Sequence, residues 1–390
     1  MNFGSVKYIV VGAGFFGATL AERIASVLGE AVVVLEKRPH VGGNSFSSPD
    51  ALTGIDVHRY GSHIFHTRTE RVWQYINQFS SFNDYRHQVY TVHGDRVYPM
   101  PINLNTINRF FGTTLMPEDV PAFLAGQVDA IPVPRNFEEK ALGCVGRRLY
   151  EAFIKGYTRK QWGCDPSQLP ADILARLPLR MTADNLYFDD QYQGIPVDGY
   201  GKLFEKMLAH PKIEVRLGVD FRQVKSFIPE DAVIIYTGPI DRFFDYRFGL
   251  LGWRGLEFKE EILPQDDFQG NAVINYADET VAYTRIHEFK HYHPEKKGCF
   301  SGKTVIYKEY PVAAGQEDDP YYPMNRPADQ AVLALYRQEA LRHPRVIFGG
   351  RLGGYAYLDI DRTISQALAV FDARLSQGQL MVVDGGARHA

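Results

Sequence analysis

Lys7-Tyr8-Ile9-Val10-Val11-Gly12-Ala13-Gly14-Phe15-Phe16-Gly17-Ala18, followed after one helix length by Ala31-Val32-Val33-Val34-Leu35-Glu36, decides the fold. Tyr8 to Val11 is a short apolar run and predicts a buried strand. Gly12 to Gly17 is a turn, Ala18 to Leu28 a helix, and Ala31 to Glu36 a second buried strand, so the stretch is one βαβ unit. The turn carries the G-x-G-x-x-G spacing. Its first glycine permits the tight turn, the second lets a pyrophosphate approach the backbone, and the third lets helix and strand pack closely. The helix N-terminus then presents unpaired N–H groups to the phosphates. Glu36, 19 residues beyond Gly17, ends the second strand, where a carboxylate accepts hydrogen bonds from ribose hydroxyls. The unit predicts a bound dinucleotide.

Working outward, Arg38-Pro39-His40-Val41-Gly42-Gly43-Asn44 offers a second close backbone approach to phosphate. Residues 71–80 read as a helix and Val89 to Tyr98 as a hairpin turning at His93-Gly94-Asp95. Residues 105–163 read as short helices between proline-marked breaks. Residues 168–200 are irregular and rich in Pro, Asp, Tyr and Gly, which suits a mobile segment over a site. A second α/β passage follows: a helix over 202–209, an alternating strand over 213–221 and a buried strand over 232–236. Aromatic-rich strands come next, among them 272–276 and 304–310. A helix over 328–343, a strand over 346–348 and a closing helix over 360–377 complete the pattern.

The expected class is α/β, with a discontinuous Rossmann-like dinucleotide-binding domain (1–80, 193–241 and 318–390). Into it are inserted a helical domain (100–180, with a mobile substrate loop at about 165–180) and an antiparallel sheet domain (81–99, 181–192 and 242–317).

Composition narrows the function. With 43 Lys+Arg against 46 Asp+Glu the net charge is −3, which argues against general affinity for nucleic acid or an anionic membrane. Three distant cysteines offer neither a disulfide framework nor a metal site, and predict a reduced, cytoplasmic chain. The apolar run from Val6 to Leu20 is broken by glycines and followed by Glu22-Arg23, unlike a secretory signal. No stretch reaches the ~18 apolar residues of a membrane span. Aromatic residues make up 13%, which predicts large interfaces between domains or a polar ligand in an aromatic cleft.

Three later pieces favour FAD over NAD: Gly199-Tyr200-Gly201-Lys202-Leu203, the alternating strand ending near Val219, and Gly349-Gly350-Arg351-Leu352-Gly353. Their order resembles the glutathione-reductase and amine-oxidase class of FAD proteins, in which the late glycine turn closes over the isoalloxazine. No second complete fingerprint with a following acid is present, so no dedicated NAD(P)H domain is expected.

A narrower resemblance rests on Tyr60-Gly61-Ser62-His63-Ile64-Phe65-His66-Thr67, Gly156 to Gly163 and Tyr192-Gln193-Gly194-Ile195-Pro196. It rests further on Asn185-Leu186-Tyr187-Phe188, Thr284 to His291, Tyr321 to Asn325 and Arg351 to Asp359. Together these are similar to the UDP-galactopyranose mutase family, over nearly the whole chain; Ser62 stands where proline is expected in many relatives. The resemblance implies cofactor contacts at Gly12, Gly14, Phe15, Gly17, Glu36, Lys37, Gly43, Asn44, Gly61, Ser62, Val219, Arg351, Leu358, Asp359 and Ile360. It implies that Tyr157 stacks on uracil beside Phe153 and Thr158, and that Trp162 helps hold the nucleotide-sugar. Arg176 and Arg285 would grip the diphosphate from opposite sides, with Arg176 on the mobile segment; a guanidinium fork suits phosphate oxygens and keeps its charge. Tyr187, Tyr322, Tyr357, Asn83, Asn275 and Asp359 would complete the substrate contacts. His63 would influence the flavin's redox and protonation state without being the nucleophile.

The implied reaction interconverts UDP-galactopyranose and UDP-galactofuranose without net redox change, N5 of reduced FAD attacking the anomeric carbon. An external reductant for the flavin and a homodimer are implied with it. The alternative within the same fold is an FAD-dependent amine-oxidase-like oxidoreductase, which would consume an electron acceptor at each turnover.

Overall fold

The computed structural model describes residues 3–4, 6–171, 173, 179–300 and 302–376. Five parallel strands form its first sheet, in the order Val346–Phe348, Val233–Tyr236, Tyr8–Val11, Val32–Glu36, Ile213–Leu217. The strands read as nearly continuous apolar runs because both faces are covered. Tyr8, Val10, Val32, Val34 and Ile235 join one apolar cluster with the helices Phe15–Arg23 and Ile360–Val370. Ile9, Val11, Val33, Leu35 and Tyr236 join another on the opposite face. The chain leaves Tyr8–Val11 for the neighbour on one side and later returns to the neighbour on the other. The carboxyl end of that strand is therefore a switch point, where open α/β sheets bind ligands.

The second sheet has seven strands in the order Tyr322–Pro323, Trp253–Leu263, Thr304–Ala313, Arg285–Glu288, Val273–Tyr276, Val89–His93, Arg96–Met100. Only the pairing of Val273–Tyr276 with Val89–His93 is parallel. Tyr322–Pro323 lies inside the 318–390 stretch yet pairs with Trp253 and Arg254 of this sheet. After Arg96–Met100 the chain runs through the helices Leu104–Phe111, Val120–Ala125, Phe137–Leu149 and Gly156–Trp162, which pack against the second sheet, the last entered through a π-turn at Tyr150–Lys155. Asn103 starts the first of these by accepting from Thr106 N, and Asn136 starts the third by accepting from Glu139 N. No helix among the described residues is long and apolar enough to cross a membrane.

Some boundaries move. The alternation expected to run to residue 221 stops at Leu217, because Gly218 takes a left-handed φ of 69° and Asp220 caps a new turn of helix at Arg222 N. Val219 nonetheless keeps one backbone bond, N to Glu36 O at 3.0 Å. The first helix begins at Phe15 rather than residue 18, and the helix expected over 71–80 covers Glu70–Ile76. The antiparallel strand Thr304–Ala313 runs three residues past its expected end.

Two buried histidines give the fold an acid-sensitive core. His58 is fully buried and accepts from His63 N through Nδ1, and His87 accepts from Tyr85 Oη through Nδ1. Burial pushes both down to about 3. Since the folded value lies below the unfolded ~6.5, this contribution is complete above pH ~6.5 and fades as pH falls, at up to ~1.4 kcal/mol per group per pH unit. Thermal melts are expected to show stability dropping from pH 7.5 to 5.5, and His58→Asn, which keeps the acceptor, should flatten that slope. An unaltered slope in the variant would assign the sensitivity elsewhere.

Candidate functional site

One cavity of about 790 Å³ runs from the Gly12–Gly17 turn to the helix Gly156–Trp162, so the two sheets and the helical insertion meet around it. At its first end the glycines are required by contact. A Cβ on Gly17 would stand 2.0 Å from the Gly12 carbonyl oxygen, and one on Gly12, at φ 100°, 2.1 Å from Thr237 Oγ1. A Cβ on Gly14 would meet the Gly43 Cα at 4.0 Å, and one on Gly43, at φ 55°, would stand 3.3 Å from the Gly14 Cα, so two bare backbones pack closely and together present their edge to the cavity, where a pyrophosphate can approach. Glu36 is buried and accepts from Ala13 N and Arg38 N, both at 2.9 Å, which fixes its carboxylate at the strand end. Arg38 reaches Asn44 Oδ1 at 2.8 Å and pairs with Asp319 at 2.7 Å, as does Lys37. Burial would raise Asp319, but Arg38 and Lys37 outweigh it and hold the carboxyl low. Lys37 is thus committed to a protein partner as well as lining the cavity.

The late glycine turn closes the middle of the cavity. Gly349 lies against the Phe16 ring, and a Cβ there would come within 2.1 Å of it. Arg351 donates to Tyr321 O at 2.6 Å and lies over the Tyr357 ring at 4.9 Å, leaving its buried Nε without a partner among the described residues. Phe15, Gly61, Ser62, Val219, Leu358, Asp359 and Ile360 line the same space. These residues fit a flavin dinucleotide: a pyrophosphate cradle, an acid at the ribose position and an uncommitted guanidinium N–H. His63 Nδ1 sits 2.8 Å from Gly61 O, so that nitrogen carries the proton and Nε2 is the bare acceptor. Burial, then the Arg351 charge, pushes His63 down to about 4, and it is neutral at pH 7.

The far end is aromatic and cationic. Phe153, Tyr157, Thr158 and Trp162 line it from the π-turn and the helix after it. Tyr187 and Tyr357 line it from loops and Tyr322 from the strand Tyr322–Pro323, the last stacked on Tyr357 at 5.8 Å. Arg285 donates to Tyr157 Oη and pairs with Glu309 at 3.3 Å. Burial opposes that charge, but Glu309 and the tyrosines outweigh it and keep Arg285 raised. Asn275 also lines the cavity, with its buried Oδ1 unpartnered among the described residues.

One expected site residue is not described and another is placed elsewhere. Arg176 lies outside the described residues, so only Arg285 of the expected pair can be placed. Asn83 does not line the cavity: its amide donates to Tyr292 O and Glu295, and its oxygen accepts from Tyr85 N and Ile195 N. Such a fully engaged amide ties segments together. Conversely, sequence reasoning missed Glu309, His87 and Gln161, all in the lining. Glu309 had a faint signal, since it shares the inward face of its strand with Val305 and Tyr307. A charge at an inward position needs a partner, and Arg285 and His287 supply one.

Fold and cavity define a Rossmann-like dinucleotide-binding protein, whose cavity continues from that domain to a second sheet and a helical insertion. The sequence pattern of the UDP-galactopyranose mutase family matches residues 152–357, and that of NAD(P)-binding Rossmann-like domains matches residues 10–79. A probable UDP-galactopyranose mutase of Klebsiella pneumoniae is 43% identical, over 94% of each chain. A dTDP-fucopyranose mutase of Escherichia coli is 40% identical, over 93% of this chain and 96% of its own. A crystal structure of reduced UDP-galactopyranose mutase shares the fold, with a TM-score of 0.72 at 16% identity, covering 95% of this chain and 94% of that one. The chain belongs to the UDP-galactopyranose mutase family.

Proposed function

We propose that this protein interconverts UDP-galactopyranose and UDP-galactofuranose with FAD in its reduced form and without net redox change. The observation that carries this is a single cavity holding both the glycine cradle and the Arg285–Tyr157 pair, with family membership behind it. When bound and reduced, the flavin supplies N5 as the nucleophile for the anomeric carbon.

The remaining work falls to the chain. Tyr157 and Phe153 offer ring faces to the uracil, worth ~1–3 kcal/mol per base. Arg285, with Arg176 as its expected counterpart, binds the diphosphate and stabilises the charge it gains on leaving the sugar. Tyr187, burial of whose hydroxyl pushes its pKa to about 12, stays protonated and can donate to a phosphate or sugar oxygen. Tyr322 and Tyr357 wall the sugar, and with Trp162 they exclude water. His63, neutral with a free Nε2, can accept a hydrogen bond at the flavin edge. The 1–80, 193–241 and 318–390 stretches would carry the cofactor and the others the substrate. A homodimer and an external flavin reductant complete the proposal.

The relative named for dTDP-fucopyranose supplies the competing substrate. Protein released by denaturation should yield FAD rather than FMN. Given UDP-galactofuranose and dTDP-fucofuranose separately, the reduced holoprotein should convert the first with the higher kcat/KM. The reverse preference would keep the chemistry and replace the substrate.

A further inference from the structure

A chain of hydrogen bonds, buried at its His287–Glu309 end, joins the two ends of the cavity lining. Tyr292 Oη meets Ser62 Oγ, Ser62 Oγ lies 2.5 Å from His287 Nδ1, and His287 Nε2 lies 3.0 Å from Glu309 Oε2. Glu309 Oε1 lies 3.3 Å from Arg285 Nε and accepts from Thr284 Oγ1 at 3.2 Å. Ser62 and Glu309 line the cavity, whereas His287 is fully buried behind it, its ring parallel to that of Phe289.

The chemistry of the partners fixes the protons. Burial raises Glu309, but the Arg285 charge and His287 outweigh it, so the carboxylate is ionised and can only accept. His287 Nε2 therefore carries hydrogen. Burial lowers the His287 pKa, so Nδ1 is bare and accepts from the Ser62 hydroxyl, which in turn accepts from Tyr292. All donors point one way, from Tyr292 to Glu309. Protonating His287 would put a hydrogen on Nδ1, the second on the ring, and force Ser62 to turn, breaking the run. The groups facing His287 are Arg285 and Glu309 on its own sheet, His63 beside Ser62, His58, His87, and Tyr292 through Ser62.

We propose that Ser62 and His287 are positioning residues of the reaction, which hold Glu309, and through it Arg285, in register with the loop that carries His63. Neither touches the diphosphate or the sugar in this assignment; they act through Glu309. A proline at position 62 would offer no hydroxyl, so the connection belongs to chains with this serine. The proposal rests on the reading given under Proposed function.

The test has one readout that needs no turnover. In 15N-histidine NMR of the holoprotein, with His287→Gln identifying the signal, His287 should be the Nε2–H tautomer and should protonate below the ordinary histidine range. A neutral hydrogen bond is worth ~0.5–1.5 kcal/mol, so Ser62→Ala should raise the pH at which His287 protonates by about 0.4–1 unit. The second readout is the pH profile of kcat/KM. Ser62→Ala should move its acid limb upward by the same amount, and Ser62→Thr should restore it. His287→Gln, which can donate to Glu309 and accept from Ser62 without titrating, should keep near-normal kcat and lose that limb, whereas His287→Ala should lose about tenfold or more in kcat. An Nδ1–H tautomer, or Ser62→Ala leaving both the signal and the profile in place, overturns the proposal. So does a shifted NMR titration with an unmoved profile. A wild-type protein that turns over no nucleotide-sugar defeats the function reading instead, while the NMR still decides the hydrogen-bond chain.

Discussion

Arg285→Ala is expected to stay yellow and folded while kcat/KM falls by about 10²–10³-fold, the loss typical when a preorganised donor to developing charge is removed. The residue lies at the aromatic end of the cavity, away from the glycine cradle, so cofactor retention should be spared. Part of the effect will be indirect. Removing one partner of a buried pair costs ~3–5 kcal/mol in the general case, and less here because Arg285 is 26% exposed while Glu309 is 2% exposed. Glu309 keeps His287 and Thr284 as partners, which limits the damage. Arg285→Lys separates charge from geometry: it restores the cation but not the planar fork, and should recover only part of the loss. Unimpaired kcat/KM in the alanine variant would remove Arg285 from the account.

Gly17→Ala is expected to yield colourless protein. One methyl at that position stands 2.0 Å from the backbone oxygen of Gly12, so the turn itself must move rather than a flexible side chain. The displaced turn carries Gly14 and the N-terminus of the helix Phe15–Arg23, on which the proposed pyrophosphate contacts depend. Gly126→Ala is the control. Its Cβ would meet the nearest atom at 3.5 Å, an ordinary contact, and that variant should bind cofactor as the parent does. Flavin absorbance per polypeptide after purification decides the matter; full occupancy in Gly17→Ala would contradict the cradle.

The first βαβ unit was legible because three local signals coincide in it: apolar runs of strand length, glycines at fixed offsets and an acid at the strand end. The helix Gly156–Trp162 was legible for its unusual density of aromatic, hydroxyl and cationic residues. What sequence could not give was pairing at a distance. Glu309 sits in Lys308-Glu309-Tyr310, which reads as an ordinary wet strand until the fold sets Arg285 and His287 beside it. Asn83 failed for the opposite reason. An asparagine in a polar stretch looks available for a ligand, but bonds to residues more than a hundred positions away use its donors and its acceptor. His287 lies inside a motif read for its arginine, and only the approach of Ser62 gives it a role to test.

The central claim is that an electron-rich cofactor in this cavity rearranges a sugar ring without being consumed. The measurement is a count of turnovers against reducing equivalents, with reduced and with oxidised holoprotein supplied with UDP-galactofuranose. The account predicts many molecules of UDP-galactopyranose per equivalent from the reduced protein and none from the oxidised. Equal turnover in both states, or one equivalent spent per product, would contradict it.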